Sequence, residues 1–251
     1  MNNLSNKNNL KYTYLSDYKI PDFSIPNIYI NFIIENDYVR VIAELSIIKS
    51  NINADTLTLK GSNIKVLNIF KDDRVLSEND FQIEKDVLLI KAYDKSNFIL
   101  RIESIINPIS NNSLLGMYES NGIITTQCEA EGFRKICFHP DRPDILSKYT
   151  VRIEADKDRY PVLLSNGNLV NKSILSGNRH EVTWEDPFPK PSYLFALVAG
   201  NLRCVKDSYF TKKNKKVNIH IYVENGDEKY VQHAIKSLKK AMRWDEDKYN
   251  L

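Results

Sequence analysis

Cysteine is scarce in this sequence, which has three residues of this type, Cys128, Cys137 and Cys204, in a chain of 251. The number is odd and no two of them form a CxxC pair. This scarcity and spacing argue against a disulfide framework and against a thiolate zinc site. We therefore expect all three thiols to be reduced.

Long apolar runs are also absent, since nothing approaches the roughly 20 apolar residues that a membrane-spanning helix needs. The composition, 42% hydrophobic and 27% charged, is that of an ordinary soluble globular protein. The first residues, MNNLSNKNNLKYTYLSD, contain no apolar segment followed by a small-residue cleavage site. From these features we expect a cytoplasmic protein with no membrane partner.

Positive charge is in only small excess, and the formal net charge is +3. The visible basic groups are residues 212–216 and the set Lys236, Lys239, Lys240 and Arg243. Neither group has the interleaved aromatic side chains on which a single-strand groove stacks bases. We therefore expect solvated lysine-rich faces and no nucleic-acid partner.

Familiar catalytic and metal-binding motifs are missing as well. The four histidines, His139, His180, His220 and His233, form no HxH pair, no i,i+4 pair and no HExxH string. The chain contains no GxSxG elbow and no glycine-rich phosphate loop. We expect structural or exposed histidines, no metal ligands and no catalytic residue in this chain.

What the sequence does contain, between residues 27 and 106, is a series of short segments rich in Ile, Val, Leu and Tyr. In YVRVIAEL, the side chains of Val39, Val41, Ala43 and Leu45 would share one wholly apolar face of a strand. Similar runs are IPNIYINFII, DTLTLKG, NIKVLNIF, DVLLIKAY and FILRIESII, separated by turn-forming clusters. This spacing predicts an antiparallel sandwich or a barrel-like sheet.

Two later segments extend the β pattern. TVRIEADKDRYPVLLSNG is typical of a strand, a charged turn and a second strand, so it predicts a hairpin. Its final SNG supplies a turn in which a positive φ is tolerated. In HEVTWEDPFPKPSYLFALVAG, the three prolines exclude a helix and favour an extended passage, and YLFALVAG is apolar enough for a buried strand.

After residue 200 the pattern changes. VNIHIYVE alternates like a strand, and the segment that follows it predicts the one strong helix of the chain, with Asp227 available as its N-cap. The apolar stripe of this helix consists of Val231, Ala234, Ile235, Leu238, Ala241 and Met242. We therefore expect a domain boundary near residue 201.

The stretch TQCEAEGFR, after the turn-prone GMYESNGI, concentrates polar side chains. If it is extended, Gln127 and Glu129 point to one side, where a carboxylate and an amide oxygen can receive an ammonium group. Alternatively, Glu129 forms a surface ion pair with Arg134 or Lys135, which contributes under about 1 kcal/mol. The adjacent carboxylates should raise the pKa of Cys128 by like charge and make it a poor nucleophile.

A resemblance to a known family rests on long stretches in a fixed order. TQCEAEGFR, DRPDILSKYTVRIEADKDRYPVLLSNGN and WEDPFPKPSYLFALVAG resemble the N-terminal region of aminopeptidase N type zinc exopeptidases, the bacterial alanyl aminopeptidases. YLSDYKIPDFSIPNIYINF resembles their entry into the first strand, and SLKKAMRWDEDKYNL the first helix of their catalytic domain. The resemblance implies a mainly β fold: a saddle-shaped antiparallel β-sandwich over residues 1–200, then the first strands and helix of a thermolysin-like α/β catalytic domain over 201–251.

The resemblance also implies a function. The family removes single amino acids from the N-terminus of peptides with a zinc-activated water. Carried onto this chain, Glu129 would bind the α-ammonium group of the substrate, and Gln127 would line the first subsite. The implied partner is the N-terminus of a peptide, the implied cofactor of the full-length enzyme is zinc, and we expect a monomer.

The chain departs from the family at its C-terminal side. The GAMEN segment, the HExxH motif and the transition-state tyrosine would all lie beyond Leu251. We therefore expect that the chain alone binds no catalytic zinc and hydrolyses nothing, whether it is a fragment of a longer enzyme or a truncated or decayed gene product. A second hypothesis is a non-catalytic, β-rich module that binds peptides or proteins.

Overall fold

The computed structural model describes residues 14–92 and 97–250. Strands dominate it, and in chain order they are β1 (Phe23–Ser24), β2 (Asn27–Ile34), β3 (Val39–Lys49), β4 (Thr56–Lys60), β5 (Lys65–Lys71), β6 (Arg74–Val75), β7 (Phe81–Glu84), β8 (Val87–Lys91), β9 (Asn97–Ile106), β10 (Gly116–Ser120), β11 (Ile123–Gln127), β12 (Ser147–Asp156), β13 (Val162–Ser165), β14 (Asn168–Ile174), β15 (Arg179–Lys190), β16 (Leu197–Gly200), β17 (Arg203–Phe210) and β18 (Lys216–Val223). The helices are α1 (Val231–Tyr249) and the 3-10 helices Leu15–Asp17, Phe133–Lys135, Ser192–Leu194 and Glu228–Tyr230. The mainly β fold class is confirmed, and within these residues no helix is long and apolar enough to cross a bilayer.

The strands form four sheets. The largest has nine strands in the order β14-β15-β12-β2-β3-β9-β5-β6, with β1 paired to β3. A four-stranded sheet has the order β10-β11-β16-β13, and a three-stranded sheet has the order β4-β8-β7. Strands β17 and β18 form a two-stranded sheet. The TQCEAEGFR stretch starts in the four-stranded sheet, because β11 ends at its Gln127.

The apolar alternation in the sequence places the core on one face of the large sheet. In β3, Val39, Val41, Ala43 and Leu45 are each at most 1% exposed, as their spacing predicts. Strand β2 follows the same period, with every second side chain buried from Ile28 to Ile34. Burying a large apolar side chain contributes about 1.5–3 kcal/mol relative to leaving it exposed. The apolar face of each strand is therefore the face that turns towards the core.

One pair departs from the antiparallel expectation. Strands β2 and β12 run parallel, with Asn27 opposite Lys148 and Ile33 opposite Glu154. Parallel neighbours need a long crossover and cannot be joined by a tight turn. Since β2 ends at residue 34 and β12 begins at residue 147, no local signal in the sequence predicts this pairing.

The hairpin expected between β12 and β13 is wrong. Strand β12 lies between β15 and β2 in the nine-stranded sheet, whereas β13 pairs with β16 in the four-stranded sheet. The SNG turn does form, and Gly167 in it has a φ of +88°. A Cβ atom on this glycine would lie 2.1 Å from the carbonyl oxygen of Glu185, so a larger residue is excluded here. The turn carries the chain from one sheet to the other.

The proline-containing segment is extended, as predicted, but its buried strand is short. Strand β15 runs through Pro187 and Pro189, and the chain then forms the 3-10 helix Ser192–Leu194. The buried strand β16 begins only at Leu197. It lies between β11 and β13, and so beside the strand that leads into the TQCEAEGFR loop.

Helix α1 confirms the strong helix, but Asp227 does not cap it. Asp227 precedes the 3-10 helix Glu228–Tyr230, and its side chain makes no capping hydrogen bond. The carboxylate of Glu246 fastens α1 to the two-stranded sheet, accepting hydrogen bonds from the hydroxyl of Tyr209 at 2.5 Å and the backbone N–H of Lys212 at 2.9 Å. Of the expected apolar stripe, Val231 and Ile235 are buried, Met242 is half-buried, and Ala234, Leu238 and Ala241 are exposed.

Candidate functional site

The TQCEAEGFR stretch forms a tight loop at the end of β11. The backbone N–H of Gly132 donates to the carbonyl oxygen of Cys128 at 2.8 Å, which closes the loop. The chain then enters the 3-10 helix Phe133–Lys135, whose Phe133 is fully buried. The loop is therefore fixed by a strand before it and by a core side chain after it.

Side chains alternate at the start of this loop as the extended backbone predicts. Gln127 and Glu129 are exposed, whereas Cys128 is 3% exposed and belongs to the core. The peptide bond between Glu129 and Ala130 is cis. Thus a carboxylate and a carboxamide face solvent from the same short segment.

The carboxamide of Gln127 is oriented by the loop backbone. Its Nε2 donates a hydrogen bond to the carbonyl oxygen of Glu129 at 3.1 Å. Because a carbonyl can only accept, the nitrogen of the amide must face it. The Oε1 atom of Gln127 is therefore left to accept a hydrogen bond from another group.

The carboxylate of Glu129 has no cationic partner among the described residues. Arg134 instead bonds to Asp141, with its Nε 2.7 Å from Oδ2, and pairs with Glu131 at 3.2 Å. Lys135 donates to the hydroxyl of Ser113 at 3.0 Å. The surface ion pair considered for Glu129 therefore does not form, although both candidate cations lie within six residues of it.

Cys128 is a poor nucleophile, as expected, but for a different reason. Burial raises the pKa of its thiol to about 12, and the charge of Asp141 adds to the shift. The carboxylates of Glu129 and Glu131 are not among the causes. Both side chains extend into solvent, where water screens their charge.

Asp141 is a residue whose role the sequence does not indicate. Its side chain is fully buried, and Oδ2 accepts from the Nε of Arg134 at 2.7 Å and from the backbone N–H of Arg134 at 3.2 Å. Its Oδ1 accepts from the hydroxyl of Ser192 at 2.6 Å. Between two prolines, Asp141 is typical of a solvated turn, and no periodicity links it to Ser192.

The histidines are structural or exposed, as expected. In His139, Nδ1 accepts from the backbone N–H of Asp141 at 2.9 Å, and in His180, Nε2 lies 2.8 Å from the carbonyl oxygen of Tyr160. His220 and His233 are exposed. Across residues 14–92 and 97–250, no group of three or more His, Cys, Asp or Glu side chains could hold a metal ion. The residues present therefore do not fit a zinc ion, which needs at least three such side chains around one point.

Comparison with known proteins identifies this fold. The family model of the peptidase M1 N-terminal domain matches residues 37–194. The chain belongs to the peptidase M1 family. Aminopeptidase N of Haemophilus influenzae is 43% identical to this chain over 243 residues, which are 96% of this chain and 28% of that protein.

Solved structures share this fold. The crystal structure of Legionella pneumophila aminopeptidase A in complex with aspartic acid matches with a TM-score of 0.90 and 37% identity, covering 95% of this chain and 28% of that one. A zinc metallopeptidase of the M1 family from Deinococcus radiodurans shares the fold with a TM-score of 0.67 at 13% identity, covering 82% of this chain and 48% of that one. The M1 chain described here thus spans little more than a quarter of the first two relatives.

Proposed function

We propose that this chain is the N-terminal part of a zinc aminopeptidase and that its loop after β11 anchors the free α-amino group of a peptide substrate. The observation that carries the proposal is the exposed carboxylate of Glu129, which has no cationic partner within the described residues although Arg134 and Lys135 are close in sequence. Membership of the M1 family supports it.

The electrostatics of Glu129 would let such an enzyme recognise the end of a peptide chain. When a substrate covers the loop, Glu129 loses its water, and only a positively charged group offsets that cost. A peptide with a free N-terminus supplies an ammonium group, whereas a blocked or internal segment leaves the carboxylate unpaired. The charge of Glu129 would therefore favour peptides with a free N-terminus.

Gln127 would act beside Glu129. Its Nε2 is already bonded to the loop backbone, so its Oε1 is presented as a fixed acceptor. A fixed acceptor next to the ammonium site contacts the first side chain of the substrate. We therefore assign Gln127 to the first subsite, where it influences which N-terminal residue is preferred.

The proposal places zinc and the catalytic groups outside these 251 residues. It also places a domain boundary near residue 200. Two observations support that boundary: the family match ends at residue 194, and β17 and β18 pair with each other and not with the larger sheets. A monomeric cytoplasmic enzyme completes the proposal.

Replacing the Glu129 carboxylate should weaken substrate binding in the full-length gene product. Glu129→Gln keeps the shape of the side chain but removes its charge, and we expect kcat/KM for amino-acid anilides to fall by the equivalent of about 1.5–3 kcal/mol, mostly through KM. Steady-state kinetics on a series of anilides measures this. Glu131→Gln is the matched control, because Glu131 lies two residues away and pairs with Arg134. Equal kinetics for Glu129→Gln and the wild type would remove Glu129 from the site.

Gln127→Ala should change specificity more than turnover. Loss of the fixed Oε1 acceptor removes a contact next to the first side chain of the substrate, so the order of preference among alanine, arginine, lysine and leucine anilides should change. The ratio of kcat/KM values across these four substrates is the measurement. An unaltered substrate profile in this variant would contradict the assignment of Gln127 to the first subsite.

The transcript that encodes the chain offers a test independent of kinetics. The proposal expects GAMEN and HExxH sequences in the reading frame after Leu251, because the zinc ligands and the general base must be supplied there. A stop codon directly after Leu251 would overturn the enzyme and favour a binding module. If the isolated 251-residue chain bound about one equivalent of zinc and hydrolysed anilides, the proposal would be wrong to place the catalytic groups outside it.

A further inference from the structure

The carboxylate of Asp141 joins the segment that follows Glu129 to the segment that leads into β16. On one side it holds Arg134, which follows the loop; on the other it holds Ser192, which begins the 3-10 helix that leads to β16. Strand β16 pairs with β11, the strand that ends at Gln127. The segment after Glu129 is therefore bonded to Asp141 directly, and the strand before it is connected to Asp141 through Ser192 and β16.

Asp141 also determines what Arg134 can pair with. The guanidinium of Arg134 is largely buried, and its Nε donates to Oδ2 of Asp141 at 2.7 Å. Its Nη2 donates to the backbone carbonyl oxygen of Asp141 at 3.3 Å and also pairs with Glu131 at 3.2 Å. The Asp141 carboxylate is a strong partner for this guanidinium, because its side chain is fully buried and the hydrogen bond is charge-assisted. While this pair is intact, Arg134 is held away from Glu129.

We propose that Asp141 is a positioning residue for the amine-anchoring loop: it fixes the loop through Arg134 and Ser192 and keeps Arg134 from neutralising Glu129. This rests on the proposed function of Glu129. Loss of the Asp141 charge releases Arg134, which then competes with the substrate ammonium for the carboxylate of Glu129. The consequence is weaker substrate binding with little change in the chemical step.

The test is a double-mutant cycle in the full-length gene product. Asp141→Asn keeps the shape of the side chain, and the hydroxyl of Ser192 can turn to accept from the new amide. We expect Asp141→Asn to raise KM roughly tenfold with kcat changed less than about threefold, and to raise KM less than about twofold when Glu129→Gln is already present. If the KM increases of Asp141→Asn and Glu129→Gln multiply in the double variant, the proposal is overturned. An unchanged KM in Asp141→Asn also overturns it.

Asp80→Asn is the matched control. Asp80 also accepts from an arginine and a serine, Arg74 and Ser77, but it lies in the turn before β7, in another sheet. We expect its KM to stay at the wild-type value. If Asp141→Asn does not fold, Ser192→Ala replaces it, because that change removes the 2.6 Å hydrogen bond to Oδ1 of Asp141. We then expect a roughly threefold rise in KM, and no rise when Glu129→Gln is already present. An unaltered KM in Ser192→Ala overturns the proposal.

A measurement on the 251-residue chain itself separates this proposal from the function of Glu129. Hydrogen exchange of the Gly132 amide reports whether the loop stays closed, because this amide donates to the carbonyl oxygen of Cys128. We expect Asp141→Asn to accelerate its exchange at least about tenfold, and an unchanged rate overturns the positioning role. If Glu129→Gln has normal kinetics while the Gly132 amide responds to Asp141→Asn, the proposed function fails and loop positioning stands.

Discussion

Replacing Gly132 with alanine should lower the free energy of unfolding by about 3 kcal/mol, at the upper end of the usual cost of overpacking. The backbone of Gly132 is ordinary, with a φ of −84°, so conformation alone would permit alanine. The obstacle is space: a Cβ atom would lie 2.2 Å from the carbonyl oxygen of Gln127 and 2.8 Å from the Cα of Cys128. Both atoms belong to the backbone and cannot rotate away, so the loop must open.

Gly177→Ala is the control for this experiment. Gly177 has a φ of +69°, which favours glycine, but nothing lies within 4 Å of the Cβ position. The expected cost there is about 1 kcal/mol, from the left-handed backbone alone. Urea unfolding of the two variants and the wild type gives both values. A smaller loss of stability in Gly132→Ala than in Gly177→Ala would contradict the close packing of the loop against the end of β11.

Acidification should destabilise the protein between pH 6.5 and pH 4 because of His139. Burial lowers the pKa of His139 to about 4, although the charge of Asp141 opposes the shift. Its Nδ1 accepts from the backbone N–H of Asp141, and its ring packs edge-on against Phe133 at 5.2 Å. Protonation would therefore cost a hydrogen bond and bury a charge.

The sign of this pH effect follows from proton binding. In the unfolded chain the imidazole has a pKa of about 6.5, so between pH 6.5 and pH 4 the unfolded state holds a proton that the folded state lacks. The contribution of neutral His139 to the free energy of unfolding is fully present above pH 6.5. It is lost as the pH falls towards 4, by about 3 kcal/mol in total. His139→Asn, whose Oδ1 can still accept from the Asp141 N–H, should flatten this dependence.

His220→Asn is the matched variant for the pH experiment, because His220 is exposed on β18. This surface replacement leaves the buried surroundings of His139 unchanged, so we expect the variant to keep the wild-type slope of unfolding free energy against pH. Denaturation curves at half-unit pH intervals supply the slopes. If His139→Asn retains the full slope, another group is responsible for the acid sensitivity.

Much of the β architecture could be predicted from the sequence, because alternation of apolar residues is a local property. The buried face of β3 was predicted residue by residue, and its four buried side chains follow from period-two spacing alone. Partner choice is not local. The hairpin expected between β12 and β13 does not form, because β12 pairs with β15 and β2 in one sheet and β13 pairs with β16 in another. Likewise, Asp227 fits the rules for an N-cap but precedes a 3-10 turn.

The candidate site divides in the same way. The exposure of Gln127 and Glu129 opposite the buried Cys128 follows from alternation in an extended segment. Whether Glu129 is paired does not, because Arg134 and Lys135 are both close enough in sequence to reach it. Whether Glu129 is paired depends on two other contacts: Arg134 bonds to Asp141, and Lys135 donates a hydrogen bond to Ser113.

By itself, the sequence determined the strand content, the apolar face of the large sheet, the exposure of Gln127 and Glu129 and, through its long motifs, the resemblance to M1 peptidases. These properties depend on residues close together in the sequence. Because side chains alternate along a strand, their spacing determines directly which face of the strand they occupy. The tertiary structure alone decided which strands pair, and that Glu129 has no cation among the described residues. The partners of a buried carboxylate depend on position in space, and the hydrogen bond between Asp141 and Ser192 joins residues 51 positions apart in the chain.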